Sequence, residues 1–121
     1  MDLSLQESLR ERYPALLCDP PDSPIGERGI EVGNGWSELL VTVFNDLERA
    51  AQSEGSEVPA ILQVKEKFGL LRITVRNPTD AIDDVLRKAE QASTAICETC
   101  GKPGAPADRP GQMRVRCPAC S

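Results

Sequence analysis

Four cysteines near the C-terminal end form the strongest chemical pattern in this sequence. They occur as CETCG, which begins at Cys97, and CPAC, which begins at Cys117, with sixteen residues between Cys100 and Cys117. Two residues between the cysteines of a pair let both sulfurs converge on one point, and two such pairs supply a tetrahedral four-sulfur site. The spacing predicts one structural Zn²⁺ bound by Cys97, Cys100, Cys117 and Cys120.

Iron, disulfide bonds or buried free thiols are the alternatives for the same four residues. Four thiolates close a tetrahedral shell and leave no position for water or substrate, so we expect the metal to fold the polar C-terminal segment. The chain contains no histidine, which removes Ser-His-Asp and Cys-His nucleophilic sites. We therefore expect a protein that is not an enzyme. The fifth cysteine, Cys18, stands alone, as is typical of a small buried apolar side chain.

The distribution of charge favours a protein partner over a nucleic acid. Residues 1–96 carry 17 acidic and 10 basic side chains, whereas residues 97–121 carry two acidic and four basic ones. The acidic main part lacks the basic footprint of most nucleic-acid binders. An acidic surface would also speed encounter with a basic protein.

The N-terminal sequence predicts a cytoplasmic protein. MDLSLQESLRERYP has no basic segment followed by an apolar run, as a signal peptide would, and no stretch of the chain approaches the roughly 20 apolar residues of a membrane span. In the cytoplasm thiols stay reduced, so paired cysteines are expected to bind a metal.

Apolar periodicity predicts an α+β domain over residues 1–96, in which two amphipathic helices pack on a β-hairpin. A zinc-ribbon-like module that contains the four paired cysteines is expected over residues 97–121. Helices are expected at Leu3–Arg12, Trp36–Gln52 and Asp80–Ile96, and strands at Ala60–Lys67 and Leu70–Arg76, joined by a tight turn at Phe68-Gly69. The first helix is expected to bury Leu3, Leu5 and Leu9. Asn34 is the expected N-cap of the second helix.

Alternation along the hairpin assigns its two faces. The inward residues are expected to be Leu62, Val64, Leu71, Ile73 and Val75. The outward face then carries four cations, Lys65, Lys67, Arg72 and Arg76, which form a candidate interaction surface or a solvated face that protects the sheet from aggregation.

The segment from Cys18 to Gly35 is rich in proline, glycine, aspartate and asparagine, which predicts a long loop, with a possible short strand at Gly29–Val32. Two interpretations remain open for it. It is an ordered connection, or it is a partner-binding loop in which Glu27, Arg28 and Trp36 make contacts. Trp36 could be an anchor in the core or at an interface.

Three segments together resemble a family of small, mostly uncharacterised bacterial and prophage proteins. They are ERYPALLCDPPDSPIGERGIEVGNGW (11–36), QVKEKFGLLRITV (63–75) and the CETCG and RCPAC pairs. The family signature V-K-E-K-F-G-x-L-R is matched by Val64 to Arg72. Val32 and Asn34 stand where the family often has cysteine and aspartate. The resemblance implies a zinc-binding accessory protein of mobile or competitive loci, without implying an activity.

Two functions follow as hypotheses, beside the plain one of a zinc-stabilised domain that assembles with a larger complex. The first is a protein-binding inhibitor or adaptor, such as an immunity protein against a toxin or a phage counter-defence factor. The alternative is a zinc-ribbon nucleic-acid-binding regulator, in which Arg109, Arg114 and Arg116 beside the metal would join the cations of the hairpin in contacting phosphates.

Overall fold

The chain folds as an α+β protein, as predicted, in a computed structural model that describes residues 1–109 and 112–120. The helices are α1 (Leu3–Arg12), α2 (Pro24–Arg28), α3 (Ser37–Glu54) and α4 (Asp80–Ser93), with 3-10 turns at Asn34–Trp36 and Pro118–Cys120. The strands are β1 (Ile61–Lys67), β2 (Leu70–Val75), β3 (Ala105–Arg109) and β4 (Gln112–Arg116). They form two separate two-stranded antiparallel sheets, β1–β2 and β3–β4. Residues 110, 111 and 121 of the predicted C-terminal module lie outside the described residues.

The two long helices form as predicted, but the first turn of one of them differs from the expected one. The α4 helix begins as predicted, with the Thr79 hydroxyl accepting a hydrogen bond from the backbone N–H of Ile82 at 3.3 Å. The α3 helix instead follows a 3-10 turn, and Asn34 is not its N-cap: its side chain accepts a hydrogen bond from the backbone N–H of Asp2 at 2.9 Å. The C-terminal end of α3 is at Gly55, whose φ of +68° lies in the left-handed region that glycine favours. Over the part of the chain that the structure describes, no helix is both long enough and apolar enough to cross a bilayer.

The core is mostly aliphatic and is centred on α3. Phe44 is fully buried and packs edge-to-face on Tyr13, with ring centroids 5.3 Å apart. The Tyr13 hydroxyl donates to the side-chain oxygen of Asn45 at 2.7 Å, so the one polar atom of the ring is satisfied. The other buried residues of α3 are Leu39, Leu40, Val43, Leu47 and Ala51.

The boundaries of α1 are as predicted, but the predicted buried face is wrong in part. Leu9 is buried, whereas Leu3 is 76% exposed. Gln6 is buried in its place, because its side-chain amide donates to the Met1 carbonyl at 2.7 Å and accepts from the Ile30 N–H at 3.0 Å. Hydrogen bonds to a distant loop therefore decide which side of α1 faces the core.

The predicted hairpin forms with Lys67 opposite Leu70, but its register is irregular between Ile61 and Gln63. This irregularity changes which side chains alternate inward. Ile61 is fully buried and Leu62 is only half-buried, so the expectation that Leu62 points inward is wrong. Val64, Leu71 and Val75 are buried as predicted, and Ile73 is half-buried.

A buried serine joins α4 to the hairpin. The Ser93 hydroxyl accepts a hydrogen bond from the Leu71 N–H at 3.1 Å and donates one to the Glu90 carbonyl at 2.6 Å. Ser93 is also where α4 ends, three residues before the predicted end at Ile96. The helix thus lies against β2 through a polar contact as well as apolar ones.

The segment before α3 belongs to the core, which its proline-rich composition did not predict. The short helix α2 was not expected, and the expected strand at Gly29–Val32 is reduced to one bridge, in which the Glu31 N–H donates to the Val64 carbonyl at 2.9 Å. Three buried apolar side chains come from the segment between Cys18 and Gly35, namely Ile25, Ile30 and Val32, and the flanking Leu16, Leu17 and Trp36 are buried as well. The segment is therefore ordered and packed on the core, and its role as a partner-binding loop stays a prediction.

Two leucine-to-alanine substitutions on α1 test which side of this helix is buried. We expect Leu9→Ala to lower the free energy of unfolding by about 2–5 kcal/mol, because it leaves a cavity in the core. Leu3→Ala should change it by less than about 0.5 kcal/mol, because Leu3 is exposed. Denaturant unfolding of both variants measures the difference. A loss for Leu3→Ala equal to that for Leu9→Ala would contradict the face described.

Candidate metal centre

The four paired cysteines converge at one point. Their sulfur atoms all lie within 4.8 Å of one another, and the Cys100 and Cys117 sulfurs are 3.4 Å apart. A tetrahedron with metal–sulfur bonds of about 2.3 Å has sulfur–sulfur edges of about 3.8 Å. Residues from two distant pairs therefore form a possible metal site of the right size. Cys97 and Cys117 are buried, Cys120 is half-buried and Cys100 is exposed.

Tight backbone turns hold each pair in place. In the first pair the Gly101 N–H donates to the Cys97 carbonyl at 2.9 Å, and Gly101 has a φ of +82°. Glycine at this position avoids the steric cost of the left-handed region. In the second pair the Cys120 N–H donates to the Cys117 carbonyl at 3.1 Å. The strand β4 leads directly into this pair, and a 3-10 turn at Pro118–Cys120 follows it.

The close sulfurs shift one another's pKa values in opposite directions. Burial acts to raise the pKa of Cys97, but backbone N–H groups, first that of Cys100 and then that of Cys117, donate to its sulfur, and its pKa falls to about 6. A hydrogen bond with the Cys100 side chain lowers the pKa of Cys117. Hydrogen bonds to the Cys117 and Cys100 sulfurs raise the pKa of Cys120 to about 12. Four such close sulfurs would repel one another as thiolates, and a bound cation offsets that repulsion.

A glycine-bearing segment more than sixty residues away lies directly against the first cysteine pair. The Gly35 N–H donates to the Glu98 carbonyl at 2.8 Å, and the Gly33 N–H donates to the Glu98 carboxylate at 2.9 Å. A Cβ added at Gly35 would lie 2.2 Å from the Cys97 carbonyl oxygen. Only glycine permits this approach. The segment belongs to the predicted main domain, and the division at residue 96 stays a prediction.

Trp36 fixes the same contact from the core side. It is fully buried, and its indole N–H donates to the Ile96 carbonyl at 2.9 Å. Trp36 therefore anchors the loop to the residue that precedes Cys97. It has no exposed surface to offer a partner, so its candidate role as an interaction residue is corrected to the core alternative.

Buried charge connects the cysteine site to the β1–β2 hairpin. Glu98 is 5% exposed, and one of its carboxylate oxygens lies 3.7 Å from the Arg114 guanidinium and 3.6 Å from that of Arg116. That oxygen has no hydrogen-bond partner among the described residues. Arg114 also pairs with Glu66 at 2.7 Å. Two carboxylates and two guanidiniums thus balance one another beside the sulfurs.

These ion pairs change the interpretation of the C-terminal arginines. Arg114 and Arg116 were expected to contact phosphates in the nucleic-acid alternative, but both are half-buried and paired with carboxylates. The side chain of Arg109 lies outside the described residues. Contact of Arg114 or Arg116 with a phosphate would require breaking partly buried ion pairs, which is costly.

The four hairpin cations do not form one uniform surface. Lys65 and Arg72 lie opposite each other in the register, and Arg72 pairs with Glu90 at 3.1 Å. Lys65 is half-buried, whereas Lys67 and Arg76 are exposed.

The two charged candidates of the loop, Glu27 and Arg28, are exposed on α2. Arg28 pairs with Glu31 at 3.1 Å. Cys18 is exposed as well, so the expectation that it is a buried apolar residue is wrong.

Sequence reasoning missed two acidic residues, Glu66 and Glu98. The alternation that pointed Val64 inward also assigns Glu66 to the same face, and that signal was available. No comparable signal existed for Glu98, because a residue between two cysteines of a pair has no fixed partner. Its partners come from β4 and from the loop before α3.

Comparisons with protein-family models, with curated proteins and with solved structures find no match for this chain. The resemblance carried by the signature from Val64 to Arg72 therefore stays a prediction.

Replacing one buried sulfur tests whether the four cysteines hold a metal. We expect Cys117→Ser to reduce the metal content from about one ion per chain to near zero, because a hydroxyl that stays protonated is a poor ligand. Elemental analysis of the purified protein measures this. Cys18→Ser is the matched control and should keep the full metal content, since Cys18 lies outside the cluster. Full metal content in Cys117→Ser would contradict the site.

A second pair of variants tests the contact between the loop and the first cysteine pair. Gly35→Ala should cost about 1–3 kcal/mol of stability by overpacking and should also weaken metal binding, because the added methyl group collides with the Cys97 carbonyl. Gly55→Ala meets no atom within 4 Å and should cost only the backbone strain of about 1 kcal/mol. Denaturant unfolding and competition with a chelator report the two quantities. Equal metal affinity in both variants would show that the loop does not support the site.

Proposed function

We propose that this protein is a non-enzymatic zinc protein that acts by binding another protein, as an inhibitor or an adaptor. The observation that carries the proposal is the way the cysteine site joins three segments that are distant in sequence. Residues 33–36 lie against Cys97 and Glu98, β4 reaches Glu98 through Arg114 and Arg116, and the β1–β2 turn rests on Met113 of β4. A metal bound by these cysteines would hold the three segments together as one surface.

Zinc is the metal that the donor set favours. Four thiolates are soft ligands, and a tetrahedral four-sulfur shell is typical of structural zinc. Such a shell has no open position for a substrate, and the chain has no histidine to act as a base. Both facts favour a structural role for the metal over catalysis. A reducing cytoplasm would keep the thiols available.

The ion pairs favour a protein over a nucleic acid as the partner. Arg72, Arg114 and Arg116 are each paired with a carboxylate, and the chain as a whole carries a net charge of −5. Phosphate binding draws on unpaired cations and gains from a basic net charge. An immunity protein against a toxin and a phage counter-defence factor are two biological settings for a small inhibitor of this kind.

Purification from the native host tests the proposal. We expect the tagged chain to retain one protein in an equimolar complex that survives nuclease treatment and re-forms from the two purified components. An inhibitor should also lower the partner's activity, whereas an adaptor should leave it unchanged. Recovery of nucleic acid alone, with binding to a labelled duplex at low salt, would overturn the proposal in favour of the regulator.

A further inference from the structure

The tip of the β1–β2 hairpin displays an aromatic side chain to solvent. Phe68 is 71% exposed, although the other three aromatic residues of the chain, Tyr13, Trp36 and Phe44, are all buried. A protein with so few aromatic residues gains nothing in its own core from this one. A single exposed apolar side chain is common on protein surfaces, so its meaning depends on the backbone and the residues around it.

The backbone at Phe68 adopts a conformation that disfavours a bulky aromatic residue. Lys67 and Leu70 pair across a two-residue turn in which Phe68 has a φ of +54° and Gly69 a φ of +80°. Turns with two positive φ values favour Asn-Gly or Asp-Gly, and a bulky aromatic residue is disfavoured there. Neither the turn nor the core explains the phenylalanine. Strain retained at an exposed position points to a functional contact.

The turn is held in place by the charge cluster beside the cysteines. One carboxylate oxygen of Glu66 accepts a hydrogen bond from the Gly69 N–H at 3.0 Å, and the other pairs with Arg114 at 2.7 Å. A Cβ at Gly69 would lie 3.0 Å from the Met113 carbonyl oxygen, so the turn rests on the backbone of β4. The backbone that displays Phe68 is therefore already ordered before any partner binds, which lowers the entropic cost of binding.

The chemistry around the tip is apolar and cationic. Met113, on the strand that supports the turn, is 42% exposed. The Lys67 ammonium lies 5.8 Å from the centre of the Phe68 ring, and Lys65 is on the same strand. Charges are screened beyond about 8 Å at physiological salt, so these lysines, rather than the net acidic charge, set the electrostatics of a contact here.

We propose that Phe68, together with Met113 and Lys67, is the anchor through which this chain binds its protein partner. Phe68 enters an apolar pocket of the partner, and acidic side chains at the rim of that pocket pair with Lys67. This inference rests on the proposed function and specifies its binding surface. Exposed aromatic anchors of this kind dominate the affinity of many protein interfaces.

The first test separates a binding role from a folding role. Phe68→Asn places a residue that favours a positive φ in the turn, so its midpoint of thermal unfolding should equal or exceed that of the wild type. Leu3→Ala removes an exposed apolar side chain on α1 and is the matched control. A clear fall in the unfolding midpoint of Phe68→Asn would overturn the proposal, because Phe68 would then be packed within the fold.

The second test measures binding. A photoreactive phenylalanine analogue at position 68 should cross-link to one protein in the native host, and that protein, once purified, should bind the wild-type chain. Phe68→Asn should weaken this binding roughly thirtyfold, as loss of an interface anchor does. Lys67→Glu should also weaken it, whereas a basic partner surface would make Lys67→Glu bind more tightly. Leu3→Ala should bind like the wild type.

The outcomes distinguish this inference from the proposed function. If the wild-type chain has no stoichiometric protein partner, both fail. If a partner binds Phe68→Asn and the wild type equally well, the anchor is wrong and the proposed function stands. Binding of a labelled oligothymidine that is lost in Phe68→Asn, or a dimer of the chain that Phe68→Asn dissociates, would overturn the anchor in favour of base stacking or self-association.

Discussion

The close approach of Gly33 and Gly35 to the first cysteine pair is the contact on which the rest of the structure depends. Two backbone N–H groups of the loop donate to Glu98, and the indole of Trp36 donates to Ile96 one residue before Cys97. These bonds connect the aliphatic core to the sulfur cluster without a flexible linker. A side chain at Gly35 would occupy the space of the Cys97 carbonyl, so the contact needs glycine as much as it needs hydrogen bonds.

The charge cluster extends this contact to the hairpin. Glu98 shares Arg114 with Glu66, and Glu66 holds the turn through the Gly69 N–H. Buried ion pairs add little net stability, but removing one partner leaves a costly unpaired charge. The cluster therefore acts mainly to fix one arrangement of β4 against the hairpin tip. Its arginines serve the fold, which is why the C-terminal module is less basic at its surface than its composition suggests.

Metal binding and surface shape are consequently linked. The second cysteine pair follows β4 directly, so a metal that joins Cys97 to Cys117 also positions Arg114 and the backbone on which Gly69 rests. The free energy of metal binding is then available to order the hairpin tip as well as the C-terminal segment. The proposed partner binding would for that reason depend on the metal.

The sequence by itself determined the features that depend on local spacing. The apolar stripe of α3 follows from the helical period of 3.6 residues, and the hairpin with its turn at Phe68-Gly69 follows from the two-residue period of its strands. The four-cysteine set follows from the two-residue gap within each cysteine pair. The tertiary structure alone decided the roles of Gly33, Trp36 and Glu98. Gly33 and Glu98 are 65 residues apart along the chain and Trp36 and Ile96 are 60 apart, and no local period encodes a contact over that distance.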